Sequence, residues 1–259
     1  MIVLFIIGGI ALLIGLIITL TNLKNVRRRK RIMGTPTSPI AQAPGNGPVE
    51  VKGRIVAGDQ GVLQAPFSGR HGVWVRVTVQ ELRSTGRSSY WATLVDETDF
   101  RPFYVDDGSG QMARVMPAGA NVILDQQNVG NSGTFNDAPP HLMQFLASRG
   151  LSTTSWLGFN KRMKYDEQVL CVNDPLYALG PSAREAGPPV SDGYRMVPGS
   201  QLVMFAGQGE EFELILTNKG EDQLVSKLLW GFVGGLITMG FGVLFFMGGF
   251  VAFAIDALE

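Results

Sequence analysis

The chain has 259 residues, 45% of them hydrophobic, and carries 22 basic and 22 acidic side chains. Zero net charge excludes a global pull toward nucleic acid. One cysteine excludes an internal disulfide, a zinc finger and any cysteine-rich metal cluster.

Two uncharged apolar segments, residues 2–20 and 228–255, bracket the rest. Each suffices for a membrane-spanning helix, which rises about 1.5 Å per residue across a hydrocarbon core of about 30 Å. The expected fold is a mainly β (α+β) soluble domain inserted between two transmembrane α-helices. Residues 1–22 form the first span, 23–48 a basic flank and flexible linker, 49–218 the β-rich domain, and 219–256 a juxtamembrane helix running into the second span.

Lys24, Arg27, Arg28, Arg29, Lys30 and Arg31 follow the first span directly. The positive-inside rule then puts the N-terminus outside and the domain in the cytoplasm. A cleaved signal peptide has the opposite order of charge and apolar run. Near anionic headgroups each of these charges is worth about 1 kcal/mol, so membrane lipids are expected partners. Within the spans, Ala11, Gly15 and Thr19 form one small-residue seam. Gly234, Thr238 and Gly242 form another, with Gly231 and Gly235 beside it. Such seams let helices approach closely in lipid. Packing of the two spans of one chain is the primary reading and self-association into a homo-oligomer the sharper one.

Residues 34–48, rich in Pro, Gly, Ser, Thr and Ala, read as a flexible tether. Strands are predicted over 49–57 and 72–82, the latter with Val73, Val75, Val77 and Val79 on one face. Residues 90–95 read as its hairpin partner. Residues 103–105 and 112–115 flank an Asp106-Asp-Gly-Ser-Gly110 turn, and 121–125 continues the sheet. Proline at the first helical position and Gly150 as a stop predict a helix from 139 or 140 to 149. Strands resume over 168–172, 176–179, 201–205 and 212–216, with a Pro/Gly/Ala-rich loop over 180–193. The Asn218-Lys-Gly-Glu221 spacing reads as a capping box opening a helix that enters the second span.

The catalytic inventory is thin, with no phosphate loop, H-E-x-x-H, C-x-x-C or G-x-S-x-G. His71 and His141 are the only histidines, and no triad is read around them. Cys171, between Leu170 and Val172, reads as a buried structural thiol. Asp106 and Asp107 could bind a cation with Asp125 or Asp137, but they lack calcium-loop spacing and read as turn residues. No catalytic residue, cofactor or metal site is predicted. Trp74, Trp91 and Trp156 read as core or groove-lining residues. No aromatic–basic stripe accompanies them, so nucleic acid is not an expected partner.

The ordered features resemble the GIDE-domain family, that of the mitochondrial ubiquitin ligase known as MULAN or MAPL and its bacterial relatives. The segments that carry the likeness are Val51-Lys-Gly-Arg54, Ala65-Pro-Phe-Ser-Gly69, Trp91, residues 102–110, Val115-Met-Pro117, Tyr165-Asp-Glu167, residues 176–180 and 214–218, and the start of the second span. Within them Gly53, Pro66, Trp91, Pro102, Phe103, Asp107, Pro117, Tyr165, Glu167 and Gly180 stand as the family-motif residues. The eukaryotic relatives follow the second span with a RING finger, which needs about eight Cys/His ligands. With one cysteine here, the ligase chemistry is not expected to carry over. The resemblance implies a membrane-side domain that senses or recruits partners. In the mitochondrial relatives it faces the intermembrane space, whereas the Arg-rich flank here predicts the cytoplasmic side of a prokaryotic membrane.

Three functions follow in order. A membrane-anchored scaffold or adaptor, docking membrane-proximal proteins or its own copies, leads. A lipid or small-ligand sensor is second, with a pocket near Trp74, Trp91 and Trp156. A ligase-like transferase is third and would need Cys171 as its nucleophile.

Overall fold

A computed structural model describes residues 2–133, 136–155, 159–191, 196–207 and 213–256. In chain order, α1 (Ile2–Thr21) and α2 (Leu23–Gly34) are followed by a 3-10 turn (Ile40–Gln42), β1 (Asn46–Ala57), β2 (Leu63–Gln64), β3 (His71–Ser84) and β4 (Ser89–Phe100). Then come β5 (Phe103–Asp106), β6 (Met112–Met116), β7 (Asn121–Val122), β8 (Gln127–Ser132) and α3 (Pro140–Ala147). The chain continues through β9 (Met163–Cys171), β10 (Pro175–Ser191), β11 (Met196–Phe205), β12 (Ile215–Thr217) and α4 (Glu221–Asp256). Residues up to Pro36, with those from Gly220 onward, form one unit, and Thr37–Lys219 the other.

In the helical unit, two stretches are long and apolar enough to cross a membrane, Val3–Gly34 and Leu229–Val251. α1 and α4 pack antiparallel through glycines seven residues apart: Gly8 and Gly15 on α1, and Gly235, Gly242 and Gly249 on α4. A methyl on Gly15 would lie 2.7 Å from the Met239 nitrogen, and one on Gly242 would lie 2.8 Å from that of Leu12. Backbones this close leave no room for a side chain. A seven-residue repeat keeps the seam facing its partner as the helices wind left-handedly.

The expected Gly234-Thr238-Gly242 seam is therefore corrected. Gly234 has nothing within 4 Å of the place its Cβ would occupy, and the Thr238 hydroxyl donates back to the Gly234 carbonyl at 2.9 Å. Gly231 and Gly235 face Asn22 and Thr19 instead. Thr19 donates to Gly15 O at 2.8 Å and touches Met239 Sδ, while Ala11 is half-buried beside this line. α4 starts at Glu221, two residues later than a cap at Asn218 requires. The Thr217 hydroxyl accepts the Lys219 N–H at 3.1 Å there. Of the basic flank, Lys24, Arg27, Arg28, Arg29, Lys30 and Arg31 all lie on α2.

In the other unit, β1 pairs antiparallel with both β5 and β10, β5 with β6, β6 parallel with β11, and β11 antiparallel with β10. That circuit closes a five-stranded β-barrel, and closure removes sheet edges. β12 and β7 extend from β10. Val51, Ile55, Phe103, Val105, Val115, Leu202 and Met204 fill its core.

Two expectations fail here. Residues 180–191 are not a loop, because β10 extends to Ser191 and serves β1 on one side and β11 on the other, while residues 192–193 of that expected loop lie outside the described residues. Its prolines fall where a missing N–H costs little. Pro181 faces Pro48, and Pro188-Pro189 occupy the register break between Gly187 and Val190. Residues 37–43 are not a slack tether either. Ile40 and Ala43 are buried in the barrel core, and the Arg184 guanidinium donates to the carbonyls of Ile40, Ala41 and Ala43 at 3.2, 3.3 and 3.1 Å. Burying one isoleucine is worth about 1.5–3 kcal/mol, which a composition count misses.

The second sheet runs β8-β9-β3, with β2 and β4 following one another along the far side of β3. Val75, Val77 and Val79 face α3, whose Leu142 and Leu146 are fully buried against them. Val73 leaves this face for the barrel core, since the β3–β9 register shifts between Gly72 and Trp74.

Candidate docking groove between α3 and the β4 edge

β4 is 12 residues long and pairs only with β3 among the described residues. At about 3.3 Å per residue it offers an edge of roughly 40 Å. Its register with β3 sets Asp99 opposite Val75 and Glu97 opposite Val77, on the face where α3 lies. Val95 of β4 shares the buried cluster of Leu142 and Leu146, but beyond it the Asp96–Phe100 end of β4 is exposed. Between that end and α3 lies an open groove of about 580 Å³, floored by Leu63, Pro66, Val75, Val77 and Phe145 and rimmed by polar groups.

Glu97 and Arg149 bridge the groove with a two-pronged pair at 2.7 and 2.5 Å, and the Arg149 guanidinium lies 3.5 Å from the Phe145 ring centre. Hydrogen bonding to Arg149 holds the Glu97 carboxyl below its ordinary range and raises the guanidinium in turn. On the opposite face, Arg76 makes a similar pair with Asp96 at 2.7 and 2.8 Å. Asp99 accepts only the N–H of Phe100 and meets no cation among the described residues. The rim therefore carries one uncompensated negative charge.

A second polar centre supports the groove. Glu167 is wholly buried on β9 and accepts the backbone N–H groups of Phe67 at 2.8 Å and Ser68 at 3.1 Å. It clamps the turn that carries Pro66 to the groove wall. Phe67 makes edge-to-face contacts with Phe145 and Tyr165, at 4.8 and 6.1 Å between ring centres. The sequence signal for this clamp is the alternation of buried Met163, Tyr165, Glu167 and Val169, with a glutamate in an apolar register.

The remaining singled-out residues serve the frame. At Gly53 an added Cβ would strike the Asp106 carbonyl, and at Gly180 it would lie 2.9 Å from the Leu214 Cα. Pro102 lies half-exposed before Phe103, which is fully buried in the barrel, and buried Pro117 closes β6. Asp107 accepts the N–H of Ile40 at 2.7 Å and of Ser109 at 2.9 Å. Partial burial pushes its carboxyl up, but the Ser109 hydroxyl and these amides outweigh that, and its pKa ends below the ordinary value.

Asp106 caps Gly108, Asp125 pairs with Lys219 and Asp137 bonds Asn160, so the four aspartates serve separate local contacts. Trp74 belongs to the barrel core, and Trp91 lies under the Lys164 ammonium, 4.1 Å from its ring. Neither lines the groove, which corrects the expected tryptophan pocket. Trp156 lies outside the described residues. Cys171 is half-buried, and burial with the nearby Asp174 carboxylate raises its thiol, away from a reactive thiolate. His71 begins β3 and His141 lies in the first turn of α3, and neither borders the groove.

A family model described as GIDE, E3 ubiquitin ligase, matches residues 75–191, from the middle of β3 to the end of β10. Over these residues the chain carries a GIDE domain. The matched segment includes both Val75 and Val77 on the groove floor and the Glu97–Arg149 bridge, while the Pro66 wall precedes it. No curated protein and no solved structure matches the chain.

Proposed function

We propose that this GIDE-domain protein is a membrane-anchored, non-catalytic adaptor that docks partner proteins beside the bilayer through β4. The observation that carries the reading is the 12-residue β4 edge, bare among the described residues, lying next to an apolar groove. An incoming strand gains main-chain hydrogen bonds along such an edge, and a neighbouring pocket selects its side chains. Two spans flanking one domain put both of its ends at the same face. The basic run on α2 supports a cytoplasmic face for the domain, in a prokaryotic cytoplasmic membrane with the N-terminus outside. Covalent transfer through this domain itself would need a nucleophile, and the raised thiol of Cys171 is poorly suited to that role.

The test is the native mass of the tagged full chain, extracted from its own membrane in mild detergent, with a photo-reactive side chain at Thr98. A stoichiometric protein component that crosslinks at Thr98 supports the adaptor. A clean monomer overturns it.

A second reading rests on the groove alone. Its volume falls within the usual range of small-molecule pockets, about 300–1,000 Å³, and its floor is apolar. A monomer that retains an amphiphile, lost on Gln64→Trp, would establish the chain as a lipid or small-ligand sensor.

A further inference from the structure

Resting on the adaptor reading, we infer that the β4 edge selects an extended peptide segment that sets a lysine or arginine against Asp99 and a bulky apolar side chain in the groove over Val75 and Val77. Three observations choose this occupant. The bare edge calls for an extended backbone, because only a strand can satisfy a row of main-chain donors and acceptors at strand spacing. The floor of Leu63, Pro66, Val75, Val77 and Phe145 calls for an aliphatic or aromatic side chain.

The rim supplies the charge. Three acids stand within four residues of β4, but Arg76 engages Asp96 and Arg149 engages Glu97. Asp99 is left to attract a cation, and it sits directly across from Val75 on the groove face. Charge complementarity at such a rim acts on specificity and encounter rate, while the buried side chain supplies affinity. Side chains two apart on a strand point the same way, so the basic and apolar residues should be two apart and on one face.

The experiment selects random peptides of about twelve residues, long enough to match the edge, displayed on phage. The target is the full chain in nanodiscs, and the counter-selections use empty nanodiscs, Asp99→Lys and Gln64→Trp. Asp99 and Gln64 are both exposed, and unchanged thermal unfolding checks the fold of each variant. The expected consensus pairs Lys or Arg with Ile, Leu, Val or Phe two positions away. The recovered peptides should bind Asp99→Lys about tenfold more weakly, or more, and selection on that variant should turn to Asp or Glu. Gln64→Trp should lose the preference for the apolar position.

An acidic, helical or proline-rich consensus, binding indifferent to both variants, or no enrichment over empty nanodiscs would overturn the inference. The crosslink at Thr98 reports on the adaptor independently. A crosslinked partner together with a failed consensus removes this peptide chemistry alone, whereas a monomer removes the adaptor.

Discussion

The carboxylate of Glu167 accepts the backbone N–H of Phe67 at 2.8 Å, joining β9 to a turn that lies 100 positions earlier in the chain. Both groups are buried. The turn that shapes one wall of the groove is thus held by a charge in the core. That arrangement is tolerated because Oε2 is occupied as well, by the N–H of Ser68.

Glu167→Ala leaves two backbone donors without their acceptor and should cost about 2–3 kcal/mol. For a domain of this size that is a fall of roughly 4–12 °C in melting temperature, read by tryptophan fluorescence in detergent. Glu167→Gln keeps one acceptor oxygen and should lose less. Equal melting of Glu167→Ala and the natural chain would mean that the clamp does not hold the turn.

Asp107 ties the 3-10 turn to the β5–β6 hairpin, and its pKa in the folded chain is lowered. A depressed carboxylate contributes stability that is present above its unfolded pKa and lost as pH falls through the folded one. The stability difference between the natural chain and Asp107→Asn should therefore be full at pH 7 and shrink in acid. A difference that stays constant from neutral to acidic pH, measured by denaturant melts, would contradict this.

Arg184 spans three carbonyls of residues 40–43 with one nitrogen of its planar fork, and its other terminal nitrogen reaches Gln111 and Ser200. A lysine carries the charge but not the fork. Arg184→Lys should expose residues 35–45 to proteinase K several-fold faster while the rest of the domain stays protected. Cleavage sites mapped by mass spectrometry decide it.

The glycine seam predicts a contrast between neighbours on one helix. Gly242→Leu forces a side chain against the Leu12 backbone, an overpacking that costs about 1–3 kcal/mol. Gly234→Leu meets open space and should be tolerated. Thermal stability in detergent should fall for the first variant and hold for the second. The reverse order would place the α1–α4 contact elsewhere.

The sequence alone determined the features that depend on local order. The two apolar spans, the basic run after the first, the β3–β4 hairpin, the β5–β6 turn and the proline-led α3 follow from hydropathy, charge and turn chemistry within a few residues. The tertiary structure decided whatever depends on a distant partner. Residues 180–191 became a strand because β1 and β11 flank them, although their composition resembles a loop. Ile40 became core because the barrel receives it, and the helix seam moved to a seven-residue spacing because two helices wind about each other. The groove has no local signature. Glu97 and Arg149 lie 52 residues apart and meet only when α3 settles on β3 and leaves the far end of β4 exposed.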